Sequence, residues 1–276
     1  MPSSVSTPIL VAVPFVPLKR FGQNFLQDPN IIRKIVGAVQ APTESKVVEI
    51  GPGTGALTAE LLRSYPDLTA IEVDHRAVAW LKGEFPNLDI RLQDVLETGW
   101  DELGGNRPLF VVGNLPYYIT TPILFSLLDA STTVKRAILM MQLEVGQRLV
   151  AKPNTKEYGI LSVVTQLYAQ PQLLFKVPAS VFYPKPDVVS AVIALDFFPK
   201  EEKMRKIAPS YLRLVIRTAF NQRRKTLRNS LQKLGSVPEP WTGLRAENLT
   251  PADFVALATA LRDSSPPYQD KDGHHE

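Results

Sequence analysis

Five short apolar runs alternate with helical segments through the first half of the chain, and this alternation constrains the fold most. KVVEIG, LTAIEVD, LDIRLQD, PLFVVGN and RAILMMQ read as strands, while TGALTAELLRSY and HRAVAWLKGEF between them carry apolar residues at helical spacing. Strands joined through a helix cannot form hairpins. They run parallel, and a parallel sheet needs helices over both faces. Ahead of them, DPNIIRKIVGAVQ fits a helix with Asp28 as N-cap and Pro29 at its first position. Further on, PQLLFKVP and VVSAVIALDFF flank the proline-rich ASVFYPKPD and are expected to pair as an antiparallel ribbon closing one edge of the sheet. Beyond Pro199 the pattern is helical throughout, in YLRLVIRTAFNQRRKTLRNSLQKLG and in TPADFVALATALRD, the latter capped by Thr250. The expected organisation is an arm over 1–27, partly flexible, an α/β domain over 28–199, a small helical domain over 200–263 and a disordered tail over 264–276.

Composition narrows the chemistry. With 276 residues, 45% of them hydrophobic, the chain can bury a large domain and a smaller one. There is no cysteine, which removes disulfides, thiolate metal sites and a sulfur nucleophile. Only His75, His274 and His275 are histidines, two of them in the polar tail, so neither a His-based triad nor a metal site is expected. The run ILVAVPFVPL is roughly half as long as a bilayer span and is broken twice by proline. The first eighteen residues carry no Lys or Arg, as a secretory or mitochondrial leader would, and the expected location is the cytoplasm. Of the chain's 31 basic and 27 acidic residues, 11 and 2 fall between Lys200 and Lys233, so all the positive excess lies in one segment. Such a block reads either as a solvated helix face or as a footprint for a phosphate backbone.

Chemistry-bearing residues gather at successive strand ends. VVEIGPGTGALT sets Gly51, Gly53 and Gly55 in a turn between strand and helix, where a ligand can approach the backbone. Gly51, Gly53 and Ala56 also satisfy the dinucleotide pattern, so a nicotinamide enzyme stands as a rival. Glu72 ends the second strand, where a carboxylate can accept from ribose hydroxyls, and Asp94 ends the third, where it can accept from an adenine amino group. Asn114 ends the fourth, in VVGNLPYYITTPILF. Pro116 holds Leu115 extended, so the Leu115 carbonyl and the Asn114 amide oxygen can converge on one point. Two acceptors there suit an exocyclic amine with two N–H donors: drawing on both favours a tetrahedral nitrogen whose lone pair can attack. Tyr117 offers a face for an extruded base. Methylation at pyrimidine carbon five would need a thiolate, so the missing cysteine favours an adenine amine.

KRFGQNFL, EIGPGTGALT, IEVD, GNLPYYITTPILF, PNTKEYGILSV and VFYPKPDVVSAVI, in this order, resemble the small-subunit ribosomal RNA adenine dimethyltransferases from about Lys19 to Asp263. The resemblance implies a class I, Rossmann-like methyltransferase sheet with a small C-terminal all-helical domain. It implies S-adenosyl-L-methionine as donor and dimethylation of two adjacent adenosines near the 3′ end of small-subunit rRNA. The implied partner is that rRNA within a pre-ribosomal particle, met by a monomer without a membrane. Cofactor contacts carried over fall on Asn24, Leu26, Gly51, Glu72, Asp94 and Asn114, with Gly53 in the same turn. Target-base contacts fall on Asn114, Leu115 and Tyr117, and Phe182 matches an aromatic that packs on the base. Tyr118 stands where the family often has asparagine, and its role is left open. Arg223, Arg224, Lys225 and Arg228 are the expected phosphate contacts. Two other readings remain: a large-subunit rRNA methyltransferase of the macrolide-resistance type, and a non-catalytic RNA-binding assembly or organellar transcription factor.

Overall fold

The computed structural model describes residues 15–18, 21–198 and 207–263. The beginning of the arm, the first part of the basic block (Lys200, Lys203, Arg205 and Lys206) and the tail with His274 and His275 lie outside the described residues. In chain order the elements are β1 (Phe25–Leu26), α1 (Pro29–Val39), β2 (Lys46–Ile50), α2 (Ala56–Ser64), β3 (Thr69–Glu72), α3 (His75–Glu84), β4 (Asp89–Leu92), α4 (Trp100–Gly104), β5 (Leu109–Asn114), α5 (Thr120–Asp129), β6 (Val134–Gln142), α6 (Leu143–Leu149) and α7 (Ile160–Tyr168). They continue with β7 (Ala169–Val177), β8 (Phe182–Tyr183), β9 (Ser190–Phe197), α8 (Pro209–Asn221), α9 (Leu227–Ser230) and α10 (Pro251–Asp263).

The seven-stranded sheet has the order β4-β3-β2-β5-β6-β9-β7, and the five strands expected from the alternation are mutually parallel. The chain goes from β2 to β3 on one side and returns to β5 on the other. The order therefore reverses between β2 and β5, the place where open parallel sheets bind ligands at their carboxyl ends. β9 and β7 are neighbours, as their sequence proximity suggested, with β7 at the edge. Strand β2 is buried throughout and β5 at every residue before Asn114, and Leu26, Ile35, Val47, Leu61, Val112, Ile138 and Val192 share one apolar cluster. Helix α1 begins as expected: the Asp28 carboxylate accepts from the N–H groups of Asn30 at 2.8 Å and Ile31 at 3.0 Å, and Ile35, Val36 and Val39 face inward.

The described residues pack as two compact units, one within Met1–Leu143 and Leu174–Ala194, the other within Glu144–Leu173 and Leu195–Glu276. The helical unit thus takes in α6, α7 and the loop between them, earlier in the chain than the expected boundary at 200. Its centre explains why. Tyr158, fully buried, donates its hydroxyl to the Leu249 carbonyl at 2.8 Å and lies edge-on to Phe220, which stacks on Phe254. In the same unit Asn154 donates its N–H to the Glu247 carbonyl and accepts from the Asn248 amide. The expected helix over 211–235 is interrupted: α8 stops at Asn221, Thr226 is extended, and Leu227 sends its N–H to the Leu244 carbonyl at 2.7 Å. Thr250 and Asp253 cap α10 reciprocally. No helix among the described residues is long and apolar enough to cross a membrane.

Candidate active site

A cavity of about 300 Å³ opens at the carboxyl ends of β2, β3 and β5, lined by the glycine turn, Glu72, Asp94, the residues from Asn114 to Ile119 and the arm from Phe21 to Leu26. Asn24, Leu26, Gly51, Gly53, Glu72, Asp94, Asn114, Leu115 and Tyr117, expected to act together, all lie on its wall. The arm reaches it because β1 pairs antiparallel with β8, Leu26 opposite Phe182.

Glu72 is held by the backbone around it. Its Oε1 accepts from the N–H groups of Val73 and Asp74, both at 2.9 Å, and its Oε2 from Gly53 at 3.1 Å. A carboxylate has about four lone-pair positions, so among the described residues these three donors leave one open to a ligand hydroxyl. Burial is the main influence on Glu72 and raises its pKa, against the opposing effect of these three donors. Gly53 has φ +57°, and a Cβ there would meet the Phe25 ring at 2.9 Å, so glycine both shapes the turn and admits the arm. Asp94, exposed, spends Oδ1 on the Leu96 N–H at 2.9 Å.

At the end of β5, Asn114 Nδ2 donates to the Asn24 carbonyl at 2.8 Å. A carbonyl can only accept, so this contact fixes which way the amide faces and leaves Oδ1 without a protein donor among the described residues. Leu115, almost fully buried, donates its N–H to the Met140 carbonyl at 2.9 Å. The Tyr117 hydroxyl is 2.9 Å from Ser190 Oγ, which pins the half-buried ring, and burial pushes its pKa up. Tyr118 also lines the cavity; its ring would be 3.3 Å from a Cβ on Gly22, and desolvation together with Asp94 and Glu72 raises its pKa.

Two expected residues are placed otherwise. Phe182 is 4% exposed, sits in the apolar cluster with Leu26 and is not among the residues lining the cavity, because pairing with β1 turns it into the core. It anchors the arm's strand and presents no open face to a base. Arg223 is occupied within the helical unit: Nε donates to Glu247 at 3.0 Å, and Nη2 to the carbonyls of Lys156 at 2.8 Å, Tyr158 at 3.2 Å and Thr155 at 3.3 Å. It ties the loop before α7 to the residues before α10. Arg224, Lys225 and Arg228 are exposed, and their side chains make no hydrogen bond or ion pair among the described residues.

Sequence reasoning missed three contributors. Gln23 takes the Leu18 N–H at 2.8 Å and donates to Asp74 at 2.8 Å, fastening the arm beside the cavity. Asp74 is buried, caps α3 and pairs with Arg76, whose guanidinium is the main reason its pKa falls to about 2. Glu49, 1% exposed, lines the cavity from β2 and accepts the Thr58 hydroxyl at 2.6 Å; burial pushes its pKa up to about 8, and Glu72 adds to the rise. A carboxyl inside the apolar run KVVEIG was the available signal.

The described residues lining the cavity include three carboxyl groups, on Glu49, Glu72 and Asp94, and no basic side chain. That suits a cationic ligand carrying a ribose. A glycine turn can hold a pyrophosphate through backbone N–H groups with an acid on the ribose, so this lining alone does not decide against the nicotinamide rival.

A family model described as ribosomal RNA adenine dimethylase matches residues 18–253. The chain is 48% identical over 275 residues to a protein of Salinibacter ruber named ribosomal RNA small subunit methyltransferase A, covering 96% of this chain and 92% of that one. A protein of the same name from Chlorobium luteolum is 46% identical over 261 residues, covering 92% and 94%. Among solved structures, a dimethyladenosine transferase from Plasmodium falciparum superposes with a TM-score of 0.73 at 24% identity, over 87% of this chain and 98% of that one. The 23S rRNA methyltransferase ErmE follows at 0.65 and 24%, over 86% and 99%. These two likenesses carry the fold, the class I methyltransferase sheet. With the family model covering most of its length and relatives near half identical along nearly all of it, the chain belongs to the ribosomal RNA adenine dimethylase family.

Proposed function

We propose that the chain dimethylates the exocyclic amino groups of two adjacent adenosines near the 3′ end of small-subunit rRNA, with S-adenosyl-L-methionine as donor. The observation that carries this reading is the Asn114 amide: its N–H side is bound by the Asn24 carbonyl and its oxygen is left as an acceptor on the wall of an acidic cavity. Glu72 would hold the donor's ribose and Asp94, through Oδ2, its adenine. The donor supplies a sulfonium-bound methyl group. Asn114 Oδ1 and the Leu115 carbonyl accept the two N–H groups of the target amine, which keeps its lone pair out of the ring and directed for attack. Tyr117, pinned through Ser190, gives the extruded base a fixed face. Arg224, Lys225 and Arg228 track phosphates of the RNA. The named relatives act on the small subunit, whereas the large-subunit enzyme is related at the level of fold. A pre-ribosomal particle is the expected form of the substrate, and the cytoplasm the place of assembly.

Replacing Asn114 tests the mechanism. Asn114→Leu keeps the bulk and loses the acceptor, and its single-turnover rate at saturating donor and RNA is expected to fall about a hundredfold or more, ~3 kcal/mol of transition-state stabilisation. Asn114→Asp keeps an acceptor but turns its second oxygen toward the Asn24 carbonyl, so its rate should lie between the two. A Leu variant as fast as the parent would refute the two-acceptor arrangement.

A further inference from the structure

Glu49 is a buried carboxyl on the cavity wall. One oxygen takes the Thr58 hydroxyl at 2.6 Å, and the other has no protein donor among the described residues. The groups that act on it are acid or neutral, Thr58 from α2 and Glu72 from β3, and the other titratable groups lining the same cavity are Asp94 beyond β4 and Tyr117 and Tyr118 beyond β5. No basic side chain among the described lining residues is there to stabilise its charge. A carboxyl so placed holds a proton until a cation enters.

We propose that Glu49 recognises the donor's positive charge, giving its proton to solvent when the sulfonium-bearing donor binds and recovering one when only the neutral thioether product remains. The inference rests on the reading of the cavity as the donor site. Only the O–H bond of Glu49 breaks and re-forms: its proton leaves to water and returns from it, and the carboxylate left behind balances the cation. The consequence is selectivity. The donor meets a cavity that can match its charge, and the product, one positive charge poorer, meets one that has no reason to ionise. With the group's pKa at about 8, Glu49 is mostly protonated at pH 7, so binding would release close to one proton. Donor affinity should then rise with pH, by up to about tenfold per unit, until it flattens above about 8.

The test is titration calorimetry of the full chain at pH 7 in two buffers of different ionisation enthalpy, with S-adenosyl-L-methionine and S-adenosyl-L-homocysteine as probes. The parent is expected to release close to one proton with the first and clearly less with the second. Glu49→Gln imitates the protonated acid in shape and charge; it should lose this release and bind the donor about tenfold more weakly, with product affinity nearly unchanged. The difference between parent and variant separates Glu49 from Glu72 and from the ligand's own amine. Donor binding by the parent with no proton release, or with a release that Glu49→Gln preserves, overturns the inference alone. Failure of the parent to bind the donor at all removes the reading of the cavity and the inference with it.

Discussion

Glu72, Asp94 and Asn114 were legible as residues because Glu72 and Asn114 end buried strands and Asp94 follows β4 by two positions, and the strand period places such residues at a sheet edge without knowledge of the rest of the chain. Gln23, Asp74 and Glu49 were not, since their roles depend on partners that only the folded chain supplies; Gln23 and Asp74 are 51 positions apart. The three backbone donors on Glu72 change what its removal means. Glu72→Ala deletes a ribose acceptor and also leaves buried N–H groups unpaired. Donor affinity is expected to drop by roughly tenfold to a hundredfold, at about 1–3 kcal/mol, and the melting temperature to fall as well. Calorimetry on a folded variant with unchanged donor affinity would remove Glu72 from the site.

At the scale of elements, helices with local caps were readable and their interruptions were not. Asp28 and Thr250 mark helix starts through neighbours two or three residues away. The break after Asn221 follows from bonds that Leu227 and Arg223 make to distant parts of the helical unit, and periodicity alone continues through it. The same bonds divide the basic block by role. Changing Arg224, Lys225 and Arg228 together to Gln should flatten the logarithmic dependence of RNA affinity on salt by about 2 to 3, as each phosphate contact releases nearly one counterion. Arg223→Gln should leave that slope nearly unchanged and lower the melting temperature by loosening the loop before α7. Anisotropy titrations across a salt series check both; a triple variant with the parent's slope would return the segment to a solvated helix face.

For the whole molecule, alternation of strands and helices was enough for a parallel sheet because both periodicities are local, whereas the assignment of Glu144–Leu173 to the helical unit was hidden in nonlocal contacts such as the Tyr158 hydroxyl on Leu249. Phe182 shows the same limit: its type suggested a face for a base, and its register against β1 places it in the core. The proposed reaction would join an acidic cavity and an amide acceptor to RNA chemistry at one nucleotide position. Its most direct test is mass spectrometry of RNA fragments after incubating the chain with isotopically labelled S-adenosyl-L-methionine and unmethylated small-subunit particles, with large-subunit particles in parallel. Two labelled methyl groups are expected on each of two adjacent adenosines near the 3′ end of the small-subunit RNA; label confined to large-subunit RNA, or none on any adenine amine, would contradict the proposed reaction.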